Sequence, residues 1–162
     1  MKKDHYPLPC ISDLLDSPQK ARFYTKIDLY HVYHLVCIQE GNEWKTTFRT
    51  HYGSFEWCIM PFGLTNTPIT FQHFMNDIFG DLLNVCMLVY LDDILIYSDS
   101  EEEHIQHVHE VLHHLRQHNL YAHADKCFFH VQTVEYLGYI LSPSGLTMAA
   151  DKVQVIQDWP EP

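Results

Sequence analysis

The chain has 162 residues, enough for one domain with a hydrophobic core, and its hydrophobic (46%) and charged (19%) fractions are typical of globular proteins. The net charge of −11 argues against a fragment that holds a nucleic-acid duplex unaided, because phosphate contacts require cations. No apolar run approaches the ~20 residues that span a bilayer and no signal peptide precedes the first element, so we expect no membrane contact and a fragment of a longer protein.

The first half of the chain predicts mainly strands. Its predicted elements are an extended lead-in, a short helix, a strand and the two strands of a hairpin: Lys2–Pro9, Ile11–Leu15, Arg22–Leu29, Trp44–Arg49 and Ser54–Met60. The turn of the hairpin is predicted at His51–Gly53. Asp28 lies at the end of the first strand, where a lone Asp is often only a cap for the next turn.

The second half alternates helices and strands. Its predicted elements are a helix, a hairpin, a helix, two strands and a last helix: Pro68–Leu83, Val85–Ser98, Ser100–His118, Leu120–Phe129, Glu135–Leu141 and Asp151–Trp159. The first of these helices follows the loop MPFGLTNTP, in which Gly63 permits close backbone approach and Thr65 or Asn66 can cap the helix. Ser100 and Glu103 form a capping box for the next helix.

Both longer helices are predicted to be amphipathic. The expected buried face of the first is Phe71, Phe74, Met75, Ile78 and Leu82, and that of the second is Ile105, Val108, Val111, Leu112 and Leu115. The five cysteines are odd in number, widely spaced and mostly within apolar runs, which predicts buried free thiols in a reducing compartment.

The segment Val85–Ser98, VCMLVYLDDILIYS, predicts a hairpin of two buried strands whose tip carries Asp92 and Asp93. Adjacent anions repel one another, more strongly when they are partly buried, and a divalent cation would offset that repulsion. Oxygen ligands favour Mg²⁺ or Mn²⁺ over zinc. The alternative is a plain β-turn, in which Asp accepts backbone hydrogen bonds. The two aspartates alone do not decide between these interpretations.

A second metal motif lies on the predicted helix Ser100–His118. His109–His113 reads HEVLH, the spacing that places two zinc-binding histidines on one helix face with Glu110 as general base, and Glu135 could supply a third ligand. However, Arg116 stands where the longer zinc-hydrolase motif has Gly. The alternative is a solvated histidine face, on which we expect the following residues: His104, His107, His113 and His114.

The order of these motifs resembles the palm of a reverse transcriptase from a gypsy-class LTR retrotransposon. The resemblance runs from HYPLP at His5–Pro9 to WPEP at Trp159–Pro162, and its most specific parts are MPFGLTNTP-x-x-F-Q, VYLDDILIYS and YLGYIL. It implies an α+β fold: a single polymerase palm fragment over residues 1–162, with an antiparallel sheet backed by two helices and part of the fingers. The upstream fingers, thumb, connection and ribonuclease H of the Pol polyprotein are expected to lie outside this chain.

The resemblance implies an RNA-directed DNA polymerase that transfers a nucleotide from dNTP to a primer 3′-hydroxyl on an RNA or DNA template, using two Mg²⁺ or Mn²⁺ ions. Asp28, Asp92 and Asp93 are the implied catalytic residues and metal ligands, with Asp93 in a supporting role. The implied nucleotide-binding residues are Leu29, Tyr33, Phe62 and Gly63. The implied primer-contacting residues are Tyr90, Leu91, Tyr136, Leu137, Gly138 and Tyr139. Among the nucleotide-binding residues, Tyr33 matches the steric gate that excludes a 2′-hydroxyl. The implied location is cytoplasmic, in virus-like particles.

The sequence also departs from the family pattern. The family usually has Arg at five positions that here hold Tyr, Cys or His: Tyr30, Cys37, His51, His109 and His113. It usually has small residues where His31 and Val32 stand, and their bulk could displace Tyr33. Arg-to-His and Arg-to-Cys changes are the products of CpG deamination, so a decayed, non-enzymatic remnant is the alternative. We expect the isolated fragment to polymerise poorly or not at all.

Overall fold

The computed structural model of the chain describes residues 8–30 and 32–159, and its architecture is α+β. The helices in these ranges are α1 (Ile11–Asp16), α2 (Thr67–Ile78), α3 (Glu101–Gln117) and α4 (Ala150–Gln157). The strands are β1 (Phe23–Asp28), β2 (Phe48–Thr50), β3 (Gly53–Phe55), β4 (Met87–Tyr90), β5 (Asp93–Ser98), β6 (Phe128–Val131), β7 (Val134–Tyr136), β8 (Tyr139–Ser142) and β9 (Gly145–Met148). The predictions for His31, for most of HYPLP and for the end of WPEP lie outside the described residues.

The central sheet brings together strands that are far apart in the sequence. Its four strands are antiparallel, in the order β4-β5-β1-β6. The β1–β5 register runs from Phe23 opposite Ser98 to Asp28 opposite Asp93. The β4–β5 register ends with Tyr90 opposite Asp93. Acidic residues from two separate strands therefore meet at one end of the sheet.

Both faces of the central sheet are covered, because alternate residues along a strand point to opposite sides. Ile94 and Ile96 of β5 belong to a core shared with α2 and α3, whereas Leu95 and Tyr97 belong to a core shared with α1 and the three-stranded sheet β7-β8-β9. The nearly continuous apolar sequences of β4 and β5 fit this burial on both faces. The predicted antiparallel sheet backed by two helices is confirmed.

Several element boundaries differ from the predictions. The helix predicted to reach Leu83 ends at Ile78, and the predicted strand Glu135–Leu141 is two strands joined by a tight turn. In that turn Leu137 (φ 52°) and Gly138 (φ 78°) both have left-handed backbone conformations, as in the tight hairpin turns that match strand twist. One strand was predicted because Leu rarely adopts this conformation.

Three other predicted strands are shorter than expected. In Trp44–Arg49 a 3-10 helix at Glu43–Thr46 precedes β2, and β3 ends at Phe55 rather than at Met60. The predicted strand Leu120–Phe129 contains a 3-10 helix at Ala124–Lys126, so β6 starts only at Phe128. The predicted hairpin connection at His51–Gly53 is confirmed by the β2–β3 pairing.

The helix α3 begins as predicted but is rotated about its axis relative to the prediction. The Ser100 side chain accepts a hydrogen bond from the Glu103 backbone N–H, as a capping residue does. Ile105 (49% exposed) and Leu112 (39% exposed) lie at the surface, not in the core. His104, predicted on the polar side, is fully buried. The prediction of this face was wrong because a histidine, not a hydrocarbon, starts the buried stripe.

The prediction that the cysteines are buried is wrong for three of them: Cys10, Cys37 and Cys58 are exposed, and only Cys86 is fully buried. Asn66, one of the two residues predicted to cap α2, precedes the helix without a capping side-chain hydrogen bond. Among the described residues, no helix combines the length and apolar character needed to cross a membrane.

Candidate functional site

The end of the central sheet carries the three predicted catalytic aspartates. Asp28 is the last residue of β1 and Asp93 is the first residue of β5, directly opposite it. Asp92 lies in the turn between β4 and β5, and its carbonyl accepts a hydrogen bond from Leu29 N at 3.1 Å. Strand pairing therefore explains how residues distant in sequence reach one point.

A cavity of about 170 Å³ opens beside this turn. Asp28 and Asp92 both line it, and Asp93 is not among its lining residues. The other residues around it are Leu29, Val32, Tyr33, Phe62, His123 and Lys126. Three of the four predicted nucleotide-binding residues thus lie together with two of the aspartates.

Two lysines neutralise part of the acidic charge. Lys126 Nζ lies 3.5 Å from Asp28 Oδ1, and Lys26 Nζ lies 3.7 Å from Asp93 Oδ1. Burial raises the pKa of the Asp93 carboxyl, Lys26 opposes that shift, and the charges of Asp92 and Asp28 add to it. The three carboxylates are therefore close enough to interact but face different partners.

Tyr33 connects the aspartates to the aromatic side of the cavity. Its hydroxyl donates a hydrogen bond to Asp92 Oδ1 at 3.4 Å, and its ring lies 4.8 Å from the Phe62 ring and 4.7 Å from the Phe71 ring, between ring centroids. Burial, followed by the charge of Asp92, raises the pKa of Tyr33 to about 12, so the phenol stays protonated at neutral pH. Val32 is buried in the core and does not move Tyr33 away from the carboxylates.

Asp28 and Asp92 both line the cavity, and their oxygen donors suit a hard divalent cation. Within residues 8–30 and 32–159, no group of three or more His, Cys, Asp and Glu side chains is arranged to hold a metal ion. Asp93 is turned toward Lys26 and so does not complete such a group. The residues present therefore fit a cation held by two carboxylates, with Asp93 beside them.

The zinc interpretation of HEVLH is not favoured. His109 and His113 are exposed, and His113 Nε2 lies 2.9 Å from Gln117 Nε2 on the same helix. The suggested third ligand, Glu135, is on β7 in the other sheet. The predicted solvated histidine face is correct for His113, whereas His107 and His114 are half-buried and hydrogen-bonded to Ser98 Oγ and to the Ile78 carbonyl. It is wrong for His104, which is buried.

The predicted primer-contacting residues divide into two groups. Tyr90 and Leu91 lie at the end of β4, immediately before Asp92, and Leu91 has a left-handed conformation (φ 56°). Tyr136 is fully buried, and its hydroxyl donates a hydrogen bond to the Asp93 carbonyl at 3.1 Å. Burial raises its pKa strongly. Tyr136 thus contacts the aspartate hairpin through the protein interior.

The remaining members of this set form the turn between β7 and β8. Leu137, Gly138 and Tyr139 do not line the cavity described above. Lys152 of α4 donates a hydrogen bond to the Leu137 carbonyl at 2.9 Å and lies 5.5 Å from the centre of the Tyr139 ring. The predicted nucleotide-binding Gly63 has φ 91° and open space beside its Cα, as a loop that a ligand approaches would require.

Sequence reasoning missed the residues that support the site. Gln72 of α2 binds the backbone of the aspartate hairpin, and Lys26 and Lys126 bind the aspartates. One indication of Gln72 was present in the sequence, because this polar residue directly follows Phe71, a member of the predicted buried face. No comparable signal marked the lysines, which depend on the strand register.

The five positions at which the resemblance led us to expect Arg are all exposed: Tyr30, Cys37, His51, His109 and His113. A long charged side chain at any of them would be solvated. The residues that stand at these positions leave the surface less positive than arginine would.

Comparisons with known proteins show what the chain is similar to. A family model described as reverse transcriptase (RNA-dependent DNA polymerase) matches residues 1–141. The Tf2-3 and Tf2-7 transposon polyproteins of Schizosaccharomyces pombe are 40% and 39% identical to the chain over 162 residues. The alignment covers the whole chain but only 12% of each polyprotein, so the chain spans about an eighth of their length.

Solved structures show the same fold. A foamy viral protease-reverse transcriptase in complex with RNA/DNA hybrid aligns with a TM-score of 0.86 and 20% identity, covering 99% of the chain and 22% of that protein. The same kind of protein in complex with dsDNA aligns with a TM-score of 0.87 and 20% identity, covering 99% of the chain and 33% of that protein. The prediction of a reverse transcriptase is confirmed, and the chain belongs to the reverse transcriptase (RNA-dependent DNA polymerase) family.

Proposed function

We propose that the chain is the catalytic palm of an RNA-directed DNA polymerase from a gypsy-class LTR retrotransposon, with part of the fingers, encoded within a Pol polyprotein. The observation that carries the proposal is that Asp28 and Asp92, from separate elements, line one cavity with Asp93 directly opposite Asp28. The polyprotein relatives support the retrotransposon origin. The gypsy class rests on the motif order in the sequence.

In this proposal Asp28 and Asp92 hold the divalent cations, Mg²⁺ or Mn²⁺, and Asp93 supports them electrostatically. Bound cations would supply Lewis-acid stabilisation of the primer oxygen and the triphosphate in an in-line transfer. The protein contributes positioning, because β1 and β5 are paired in a fixed register that keeps the carboxylates together. Lys126, 3.5 Å from Asp28, offsets negative charge at the cavity.

Tyr33 is proposed to select deoxyribonucleotides. Its ring is held from two sides, by the hydrogen bond to Asp92 and by contact with Phe71, so it cannot easily move aside for a 2′-hydroxyl. Phe62 is 65% exposed beside Tyr33, where it can contact an incoming nucleotide. Leu29 and Gly63 complete the proposed nucleotide-binding residues. Leu29 lines the cavity, and the open space beside Gly63 lets a nucleotide approach the backbone.

The proposed ligands are dNTP and an RNA or DNA template with its primer. The related foamy viral enzymes were solved with RNA/DNA hybrid and with dsDNA, which supports this assignment. The net charge of −11 implies that other Pol domains supply most phosphate contacts. We propose that the primer contacts Tyr90, Leu91 and the β7–β8 turn, and that Tyr136 supports these residues from the protein interior.

We also propose that the protein acts in the cytoplasm.

Mn²⁺ binding, followed by electron paramagnetic resonance, tests the site directly. Asp92→Asn is expected to weaken Mn²⁺ binding by about tenfold or more, because one of the two cavity carboxylates loses its charge. Asp77→Asn, which changes an exposed carboxylate on α2, is the matched control and should bind as the wild type does. Equal binding by all three proteins would refute the site.

Primer extension on an RNA template tests two points: whether the isolated chain is active, and whether Asp92 belongs to the active site. The chain alone is expected to extend a primer weakly or not at all, and any residual extension should disappear in Asp92→Asn. Robust extension by the chain alone would contradict the expectation that other Pol domains are needed. Extension that persists in Asp92→Asn would contradict the assignment of the site.

A further inference from the structure

Gln72 is a buried polar side chain, 1% exposed, that no part of the proposed reaction uses. Its Oε1 accepts a hydrogen bond from Leu91 N at 2.9 Å, and its Nε2 donates to the Val89 carbonyl at 3.2 Å and to Asn76 Oδ1 at 3.0 Å. Both Nε2 hydrogens and the carbonyl oxygen therefore have partners. Only a carboxamide of this length can accept from one backbone group and donate to the next.

The backbone groups that Gln72 binds lie on the outer edge of the central sheet. β4 is the last strand in the order β4-β5-β1-β6, so within the described part of the chain no strand of a sheet pairs with its far side. An edge strand has unpaired N–H and C=O groups, and such groups are costly when they are buried. The Gln72 carboxamide pairs with Val89 and Leu91 as a peptide group of a fifth strand would.

The contact falls where the chain turns from β4 to Asp92. Leu91 has a left-handed backbone conformation, φ 56°, which is unfavourable for a bulky residue and persists only where the surroundings hold it. This conformation ends the straight path of β4 and directs Asp92 to the cavity that it shares with Asp28. The hydrogen bond from Leu91 N to Gln72 therefore holds Leu91, whose backbone conformation determines where Asp92 lies.

The same helix also reaches the nucleotide side. Phe71, next to Gln72 on α2, contacts the ring of Tyr33, and Thr67 at the start of α2 donates a hydrogen bond to the Pro61 carbonyl at 3.3 Å. One helix thus contacts Tyr33, the loop before α2 and the aspartate turn. A shift of α2 would move all three together.

We propose that Gln72 is a positioning residue for Asp92: its carboxamide holds Leu91 in the left-handed conformation and thereby sets where the Asp92 carboxylate lies relative to Asp28. The inference rests on the proposed function only in assigning Asp92 a role in cation binding. The effect of Gln72 on Leu91 is a property of the folded chain and can be measured without a cation.

Amide hydrogen exchange, measured by NMR on the uniformly labelled chain, tests the contact. In the wild type the Leu91 amide is expected to be protected although it lies in the turn that follows an edge strand. Gln72→Met, which keeps the side-chain length but removes all hydrogen bonds, should speed exchange at Leu91 about tenfold or more relative to Leu95 in the centre of β5. Ile78→Val, a core change on the same helix, should shift both amides together.

An unprotected Leu91 amide in the wild type, or an unchanged Leu91-to-Leu95 ratio in Gln72→Met, would overturn the proposal. If Gln72→Met does not fold, Gln72→Glu replaces it, because it keeps an acceptor oxygen for the Leu91 amide. Protection of Leu91 should then persist, and its loss would contradict the proposed hydrogen bond.

Mn²⁺ affinity, measured on the same variants, separates positioning from mere stabilisation. Gln72→Met is expected to weaken Mn²⁺ binding about tenfold, the usual effect of losing a group that orients a ligand, and Ile78→Val is expected to leave it unchanged. Altered exchange with unchanged Mn²⁺ affinity would overturn the positioning role. If the wild type binds no Mn²⁺, the proposed function is refuted, and the exchange ratio alone decides whether Gln72 holds Leu91.

Discussion

Acidification from pH 7 to pH 4 should destabilise this domain through His104, a fully buried histidine outside the candidate site. Its Nε2 lies 2.8 Å from Thr25 Oγ1 of β1, and its Nδ1 lies 3.0 Å from Ser98 Oγ of β5. The ring therefore connects α3 to two strands of the central sheet. Two titratable groups face the His104 ring, His107 on α3 and His130 on β6.

The magnitude follows from the pKa of His104. Burial, with added repulsion from His130 and His107, lowers this pKa from 6.5 to about 4. In the unfolded chain the imidazole binds a proton below pH 6.5, whereas in the folded chain it stays neutral until about pH 4. The stabilisation is therefore complete above pH 6.5 and is lost as the pH falls toward 4. At about 1.4 kcal/mol per pKa unit, the loss reaches about 3 kcal/mol at pH 4.

Urea unfolding at several pH values between 7 and 4 measures this loss, and two variants isolate it. His104→Gln removes the titrating ring but keeps a donor and an acceptor, so its free energy of unfolding should fall less steeply with acidification than that of the wild type. His109→Gln, on the exposed face of the same helix, should follow the wild type. Parallel loss of stability in the wild type and His104→Gln would refute the reasoning.

Two further substitutions test contacts that hold the elements around the site. Tyr136→Phe removes the buried hydroxyl that donates to the Asp93 carbonyl, and loss of this hydrogen bond should cost about 1 kcal/mol in urea unfolding. Tyr52→Phe, at an exposed tyrosine, should cost almost nothing, and equal effects would contradict the role of the contact. Ser100→Ala removes the cap that accepts from Glu103 N and should cost about 1 kcal/mol in thermal unfolding, whereas Ser100→Asp should restore stability; failure of Asp to do so would argue against capping.

The aspartate hairpin was predictable from the sequence because its signals are local. Two short apolar runs flank Asp92 and Asp93, and burial on both faces requires such runs. The partner of Asp93 was not predictable from spacing, since Asp28 reaches it only through the strand order β4-β5-β1-β6. The family resemblance supplied that link before the structure did.

The errors arose where a residue has a conformation or environment unusual for its type. Leu137 and Leu91 have left-handed backbones that local propensity assigns to glycine or asparagine, so the turn in Glu135–Leu141 was missed. His104 is buried because its two ring nitrogens find hydroxyl partners on distant strands. Gln72 follows the same rule, since its partners are backbone groups of another element. Hydrophobic patterning contains no information about such partners.

The two lysines beside the aspartates bear on the order in which the domain could assemble. Lys26 and Lys126 lie beside Asp93 and Asp28, and the formal charges of the three aspartates and two lysines sum to −1, so pairing of β1 and β5 does not depend on a bound cation. A divalent ion that binds there would replace a lysine ammonium group as the counter-ion of a carboxylate. Lys126, with 56% of its side chain exposed, is the more readily released of the two, and its return would favour cation departure. Under the proposed function, folding and cation binding are therefore separable steps.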